Sequence, residues 1–399
     1  MDKTLKRRGA VRRAQPRSVT IKDLAAELGL SITTISRALN GYPDVGERTR
    51  QRIEETARQL GYRPNRNAQR LVTRRTHNIA WVQSDNDRKF VDPHFVEVMA
   101  GVLRGARAGN YDIVMSGDTP DRELSIYDRY VNDNSVDGFI VDLPREDDPR
   151  ITYLLEAGRP FVVHGREARS ARYGWVDIDN YENFYNLTRL MLANGHRHIA
   201  FINGDEHFCY ALYRRRGVID ALVDAGRSPD DALILNSLHP MGEAGFQLTA
   251  TALDDPRITA ILYSSTLMAV EGHAAVVRAG GGRRLEIASM DDELHYIDLS
   301  PFAGQFSYVR SSLREAGGAL IAELLRQCET GAEPQGHRIE SSWHLLPHLD
   351  ARGEGEDIVG LAVERPVELH HGTVAVIIVA ACKLDAQSRR DTAPDHHVG

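Results

Sequence analysis

Between residues 79 and 328 short apolar runs alternate with stretches of helical periodicity, and this alternation limits the possible folds more than any other feature of the chain. The runs 79–82, 113–115, 138–141 and 161–163 are separated by helical stretches at 95–108, 122–132 and 149–157. Runs so short and so apolar suit strands buried on both faces, and a helix between successive strands returns the chain to run parallel. A second set repeats the pattern, with helices at 181–194, 210–225, 242–253, 267–279 and 312–328 around runs at 199–202, 258–263 and 285–290. This part is predicted to be α/β, two parallel doubly wound sheets in tandem. With the chain crossing between them near 165–180 and 295–310, the sheets make a two-lobed clamp, and a ligand is expected beyond the carboxyl ends of the strands.

The chain ahead of this core has a different character. Its first 77 residues carry 18 Lys and Arg against 7 Asp and Glu, which leaves 31 against 49 for the remainder. A head at +11 and a body at −18, hidden in a formal total of −7, is expected when only the head meets a polyanion. Residues 1–18 form a basic arm without periodicity, disordered by composition, which either adds attraction to phosphates or only solubilises.

In the segment VTIKDLAAELGLSITTISRALN, residues 19–40, Ile21, Leu24, Ala25 and Leu28 share one helix face, and Thr20 with Asp23 offers a capping box. Gly29 ends that helix, and Ser31 caps a second one running through Ile32, Ile35, Ala38 and Leu39. Two short helices around a glycine turn form a helix-turn-helix, although such pairs also occur in domains that touch no DNA. The outward residues Thr33, Thr34, Ser36 and Arg37 suit a major groove, with Arg37 directed at a guanine edge. A third helix is predicted over 47–60, with Ile53, Ala57 and Leu60 on its apolar face and Gly61 as its cap. In YRPNRNAQRL, residues 62–71, Pro64 precedes a helix of barely one or two turns, too short to persist in water. It is either a flexible linker or a hinge that folds on DNA with Arg66 and Arg70 toward phosphates and Leu71 as an apolar wedge.

Residues 19–71 closely resemble the headpiece and hinge of the lactose repressor/galactose repressor (LacI/GalR) family of bacterial transcription factors, and the likeness continues at lower density to about residue 355. The resemblance implies an all-α helix-turn-helix headpiece (19–63), a hinge helix and linker (64–77), and a periplasmic-binding-protein-like core (78–355). Its first lobe is expected over 78–170 and 295–308, its second over 171–294 and 309–355, with an extension of unassigned role at 356–399. It places Ser31, Ile32, Thr33, Thr34, Ser36, Arg37 and Asn40 in the major-groove element, with Ile32 and Thr33 at positions that vary base preference. Thr20, Asn40, Thr49, Tyr62 and Asn65 match backbone contacts, the hinge residues Arg66, Ala68 and Gln69 join the DNA-binding set, and Leu71 matches the leucine that opens the operator's central base step. Gly46 stands where the family usually has Ser, a weaker cap for the third helix.

For the effector, residues just after strands are the candidates: Phe95 with Asp92 and His94 near the first, Asp118 after the second, Asp142 after the third, and Arg166 after the fourth. The resemblance adds Arg214 and Asp291 at ligand-binding positions, and Asp179, which either faces the cleft or caps the following helix. Guanidinium and carboxylates converging on one cleft fit a polyhydroxylated ligand. Ser265 and Thr266 stand where the family commonly reads Asn-Asp, which alters the expected ligand geometry at Ser265. The segments DPHF and VHGR resemble members that respond to α-glucosides.

The resemblance implies a homodimer, with a tetramer also open, that binds double-stranded operator DNA and a small sugar. No catalytic residue, cofactor or metal is expected. An enzyme on the α/β core is the rival reading, but no GxGxxG follows a strand and neither GxSxG nor a P-loop occurs. Cys209, Cys328 and Cys382 are too widely spaced for a metal motif, and free thiols in a reducing cytoplasm are expected. The longest apolar run, 374–382, is too short to span a bilayer, so a cytoplasmic, nucleoid-associated protein is expected.

Overall fold

The computed structural model describes residues 19–39, 41–62, 75–84, 92–119, 122–168, 170–238, 244–280, 285–295, 298–302 and 304–347. The chain divides into two compact units, Met1–Thr76 and His77–Gly399.

In the first unit, helices α1 (Ile21–Leu28), α2 (Ile32–Leu39) and α3 (Glu47–Leu60) follow the sequence-derived boundaries. The capping box forms: the Thr20 amide donates to Asp23 at 2.8 Å, and the Thr20 hydroxyl accepts from the Asp23 amide at 3.4 Å. Gly29 and Gly61 close α1 and α3 at φ 65° and 68°, a region that disfavours any side chain. Leu24, Leu28, Ile35, Ala38, Val45, Ile53 and Ala57 form a small core. Gly46 gives α3 no side-chain cap. The hinge residues Asn65, Arg66, Ala68, Gln69 and Leu71, together with Asn40, the arm and the extension, lie outside the described residues.

The second unit holds two six-stranded sheets. The first orders as β11-β5-β4-β3-β1-β2, with β1 Asn78–Ser84, β2 Asp112–Asp118, β3 Gly138–Asp142, β4 Phe161–His164, β5 Gly174–Asp177 and β11 Gly336–Arg338. Every pairing in it is parallel. Helices α4 (Pro93–Ala108) and α11 (Leu313–Thr330) cover one face through Val98, Val102, Leu320 and Leu324. Helices α5 (Glu123–Asp133) and α6 (Pro149–Glu156) cover the other through Ile126, Tyr127, Ile151 and Leu154. Helices α4 and α11 touch backbone to backbone: a Cβ on Gly101 would lie 2.1 Å from the Arg314 carbonyl, and one on Gly317 2.1 Å from that of Val98.

The second sheet orders as β12-β10-β9-β8-β6-β7, with β6 Ile199–Asn203, β7 Ala232–Asn236, β8 Ala260–Tyr263, β9 Glu286–Asp291, β10 Ser307–Arg310 and β12 Ser342–His344. Only the β10–β12 pair is antiparallel among its described pairings. Helices α7 (Asn180–Ala193) and α8 (Cys209–Asp224) pack on one face, and α9 (Ala244–Leu253) and α10 (Thr266–Arg278) on the other.

The expected lobe membership needs correction. Strand β5 joins the first sheet and β10 the second, while α11 and β11 return to the first lobe, so the chain crosses after β5, after β10 and again between β11 and β12. The first lobe is therefore not 78–170 with 295–308. Leu320, Ile321 and Leu324 find their apolar partners on α4 and β3–β5, which pulls residues 313–338 away from the second lobe.

Candidate functional site

On the headpiece, the second helix presents Ser31, Ile32 and Thr33 to solvent, and Ile32 keeps 44% of its surface exposed. An isoleucine so placed gains nothing from the core and is suited to a thymine methyl. The Ser31 hydroxyl accepts from the Thr34 amide at 3.0 Å and so spends its side chain on capping α2. Arg37 lies over the Tyr42 ring at 4.5 Å with its Nε donating to Asp44 at 2.7 Å. A guanine must compete with Asp44 for this guanidinium. Thr20 is likewise engaged by Asp23, Thr49 is half-buried, and Tyr62 packs against the small core.

In the second unit, a cavity of about 270 Å³ lies between the two sheets at the carboxyl ends of their strands. The first lobe supplies Trp81 from β1, Phe95 and His94 from the start of α4, Asp142 after β3, His164 and Arg166 after β4, and Asp177 from β5. The second supplies Asp205, Phe208, Tyr210 and Arg214 from the β6–α8 region, Ser264 and Ser265 after β8, and Asp292 after β9. Drawing walls from both lobes makes the ligand's environment depend on how the lobes close.

Arg214 is the best fixed of these groups. Its Nε donates to the Asn180 carboxamide at 2.7 Å and its Nη1 to the Ser264 hydroxyl at 2.8 Å and to the Ser264 carbonyl. The rings of Phe184 and Tyr210 lie 5.0 and 5.1 Å from the guanidinium carbon. Tyr210 and Arg214 are four apart on α8, so helical spacing alone puts them on one face. Burial lowers the Arg214 pKa from its ordinary value.

Arg166 reaches Asp177 at 3.3 Å and lies over Trp175 at 4.9 Å. Asp177 is nonetheless pushed up to about 7, because burial outweighs the pull of Arg166. Asp142 is held by an indirect device. Arg150, itself buried, donates to the carbonyls of Asp142 and Leu143 at 3.1 Å each and to Asp148 at 2.7 Å. These bonds fix a turn in which Leu143 adopts φ 48°, a strained value for a residue with a side chain.

His94 bridges the lobes. Its Nδ1 lies 2.8 Å from Asp92 and its Nε2 3.3 Å from Asp292. Burial disfavours the imidazolium, but the hydrogen bonds to Asp292 and Asp92 prevail and raise His94 to about 10. Burial likewise pushes Asp292 upward, and His94 more than offsets it, leaving Asp292 below its ordinary value. A second bridge joins Glu97 of α4 to His295 after β9 at 3.2 Å, and Arg314 of α11 binds the same carboxylate at 2.8 Å.

Of the expected effector residues, Phe95, Asp142, Arg166, Arg214 and Ser265 line the cavity, and Ser265 also caps α10 by accepting from the Leu267 amide at 3.1 Å. Three do not. Asp118 ends β2, the edge strand, and pairs at 3.7 Å with Arg122. Asp179 caps α7 by accepting from the Glu182 amide at 3.0 Å and pairs with Arg338 at 3.0 Å. Asp291 is turned into the β9–β10 seam, where Arg310 donates to it at 2.7 Å, and its neighbour Asp292 takes the place facing the cavity. Sequence reading missed Trp81, Tyr210, Phe208 and Asn180; only the Tyr210–Arg214 spacing offered a signal.

A three-helix headpiece with an exposed groove-fitting face, followed by a binding-protein clamp with an enclosed polar and aromatic cavity, defines an effector-responsive DNA-binding regulator. Comparison with known proteins gives the same class. Residues 20–65 match the family model "Bacterial regulatory proteins, lacI family", and residues 76–296 match "Periplasmic binding proteins and sugar binding domain of LacI family". The chain is 39% identical over 311 residues to the HTH-type transcriptional regulator AglR of Rhizobium meliloti (strain 1021), covering 77% of this chain and 87% of that one. It is similar to the solved structure of a transcriptional regulator CelR–cellobiose complex, with 26% identity, TM-score 0.57, and coverage of 82% and 98%. It also shares its fold with a lac repressor dimer bound to operator and an anti-inducer, at 20% identity, TM-score 0.68, and coverage of 83% and 99%. The chain belongs to the LacI family of bacterial transcriptional regulators.

Proposed function

We propose that this protein is a homodimeric repressor of carbohydrate-utilisation genes whose operator affinity is set by a neutral sugar, an α-glucoside of disaccharide size, held between the lobes. The observation that carries the reading is the cavity lined from both lobes, because a ligand there stabilises one lobe arrangement over another. Asp92, Asp142, Asp177, Asp205 and Asp292 face Arg166, Arg214, His94 and His164 around it, a lining without the excess of positive charge that a phosphorylated ligand needs. The cellobiose in the similar CelR complex supports a disaccharide. In this reading the headpiece (19–63) and hinge (64–77) of two copies read a pseudopalindromic operator through Ile32, Thr33, Arg37 and Leu71, as the operator-bound lac repressor dimer suggests, and the protein acts in the cytoplasm at the nucleoid. An effector needs to favour one dimer geometry by only about 1–3 kcal/mol to shift operator affinity roughly 5- to 150-fold.

Isothermal titration with maltose, sucrose, melibiose and cellobiose tests the ligand class: heat with an α-glucoside is expected, and a response only to a sugar phosphate or a non-sugar overturns it.

A further inference from the structure

We infer that Trp81 and Gln83 are specificity-determining residues of this cavity, donating hydrogen bonds to oxygen atoms of a sugar ring seated beside Phe95. The inference rests on the reading of the cavity as a sugar site and adds contacts at its first-lobe wall.

Strand β1 needs only apolar residues where it is sandwiched between helices, and Ile79, Ala80 and Val82 meet that need. Trp81 and Gln83 depart from it. Trp81 is fully buried, lines the cavity, and its indole Nε1 has no hydrogen-bond partner among the described residues. Gln83 is 3% exposed, and neither its Oε1 nor its Nε2 has a partner among the described residues. Buried tryptophans ordinarily find an acceptor, and each unmatched polar group costs about 1–3 kcal/mol. Three such atoms on one strand end are a persistent cost that packing alone does not require.

Their placement indicates what would satisfy them. Strand alternation puts residues 81 and 83 on the same face, directed toward α4; Trp81 lines the cavity, and Gln83, behind the lining, lies two residues nearer the carboxyl end of β1. The wall beside Trp81 is apolar: Phe95, with its ring centroid 5.1 Å from that of Trp81, then Val98, Leu313 and Ala316. Among the lining residues that β1, α4 and α11 contribute, the only cation is His94, and two carboxylates already hold it. An apolar wall with unmatched neutral donors and one acceptor rejects an anion and fits a sugar ring, whose carbon face packs on the aromatics while its oxygens accept from Trp81 Nε1 and Gln83 Nε2 and a hydroxyl donates to Gln83 Oε1. No bond is made or broken.

The full chain is titrated with maltose, sucrose, melibiose and cellobiose, and the tightest binder is carried forward. Trp81→Phe keeps an aromatic ring and removes the donor together with part of the side-chain volume, and Gln83→Met keeps the volume and removes both polar atoms. Each is expected to weaken sugar binding about 5- to 10-fold and to shrink the rise in melting temperature that sugar produces; Gln83→Met leaves the melting temperature without sugar unchanged or higher, whereas Trp81→Phe lowers it through the lost volume. A purely structural role of Gln83 gives a lower value without sugar in Gln83→Met, and that result, or unchanged affinity in both variants, overturns the inference. A protein with Trp175→Phe and Trp343→Phe retains Trp81 as its only tryptophan. Its emission is expected to change on sugar binding, and constant emission at saturation counts against contact. If wild-type protein binds none of the four sugars, the reading of the cavity fails and the inference with it, whereas wild-type binding with insensitive variants overturns the inference alone.

Discussion

The two units place their working surfaces differently. The headpiece buries seven residues in one small core and leaves its candidate contacts, Ser31, Ile32 and Thr33, in solvent. The core unit builds four apolar clusters around two sheets and encloses Arg214, Asp177 and Asp292 between them. An exposed surface needs little stability behind it, because the groove that it fits supplies the missing contacts. An enclosed one needs a rigid frame with a movable joint, here the His94–Asp292 and Glu97–His295 bridges. A substitution in one unit should therefore leave the other's activity intact.

The largest separation is expected from Leu24→Ala, which opens a hole in the headpiece core at a cost of about 2–5 kcal/mol. A domain this small has little more than that to lose. DNA binding should vanish in a gel shift while sugar titration is unchanged; joint loss would break the separation. Next is Arg214→Met, which removes a buried, hydrogen-bonded charge at a cost of about 2–5 kcal/mol in effector affinity while leaving DNA affinity without sugar at its wild-type value. The interlobe bridge should follow pH. His94 is raised in the folded protein, so its contribution is complete below the ordinary histidine value near 6.5 and is lost as pH rises through about 10. Melting scans from pH 6 to 10 should show this decline, and His94→Gln, at a cost of about 3 kcal/mol, should flatten it.

Arg37→Ala should cost about 1–3 kcal/mol of operator affinity and relax preference at one base pair, read by competition among operator variants. The smallest effect is Gly46→Ser, which supplies the missing cap on α3 and should stabilise the headpiece by a few tenths of a kcal/mol in thermal melts.

Local signals made the headpiece legible. Thr20 and Asp23, Gly29, Ser31 and Gly61 act within one helical turn of where they stand, so their sequence spacing already contains the geometry. Helices and strands of the core were legible by periodicity, but lobe membership was not, because α11 packs on α4 from the far end of the chain and β10 takes its place between β9 and β12 through pairings that no local period records. The same non-local pairing hid the choice between Asp291 and Asp292: Arg310, on a strand not recognised beforehand, draws Asp291 into the seam. Trp81 read as core because an apolar strand interior gives no sign that one of its residues carries an unmatched donor.

The central claim is that ligand in the cavity changes the affinity of the headpiece for DNA. Fluorescence anisotropy of labelled DNA from upstream of the protein's own gene, titrated with protein in the presence and absence of the sugar that binds it, tests this directly. The account predicts a 5- to 150-fold shift in the dissociation constant, abolished in Arg214→Met. Identical DNA affinity with the cavity empty and saturated would contradict it.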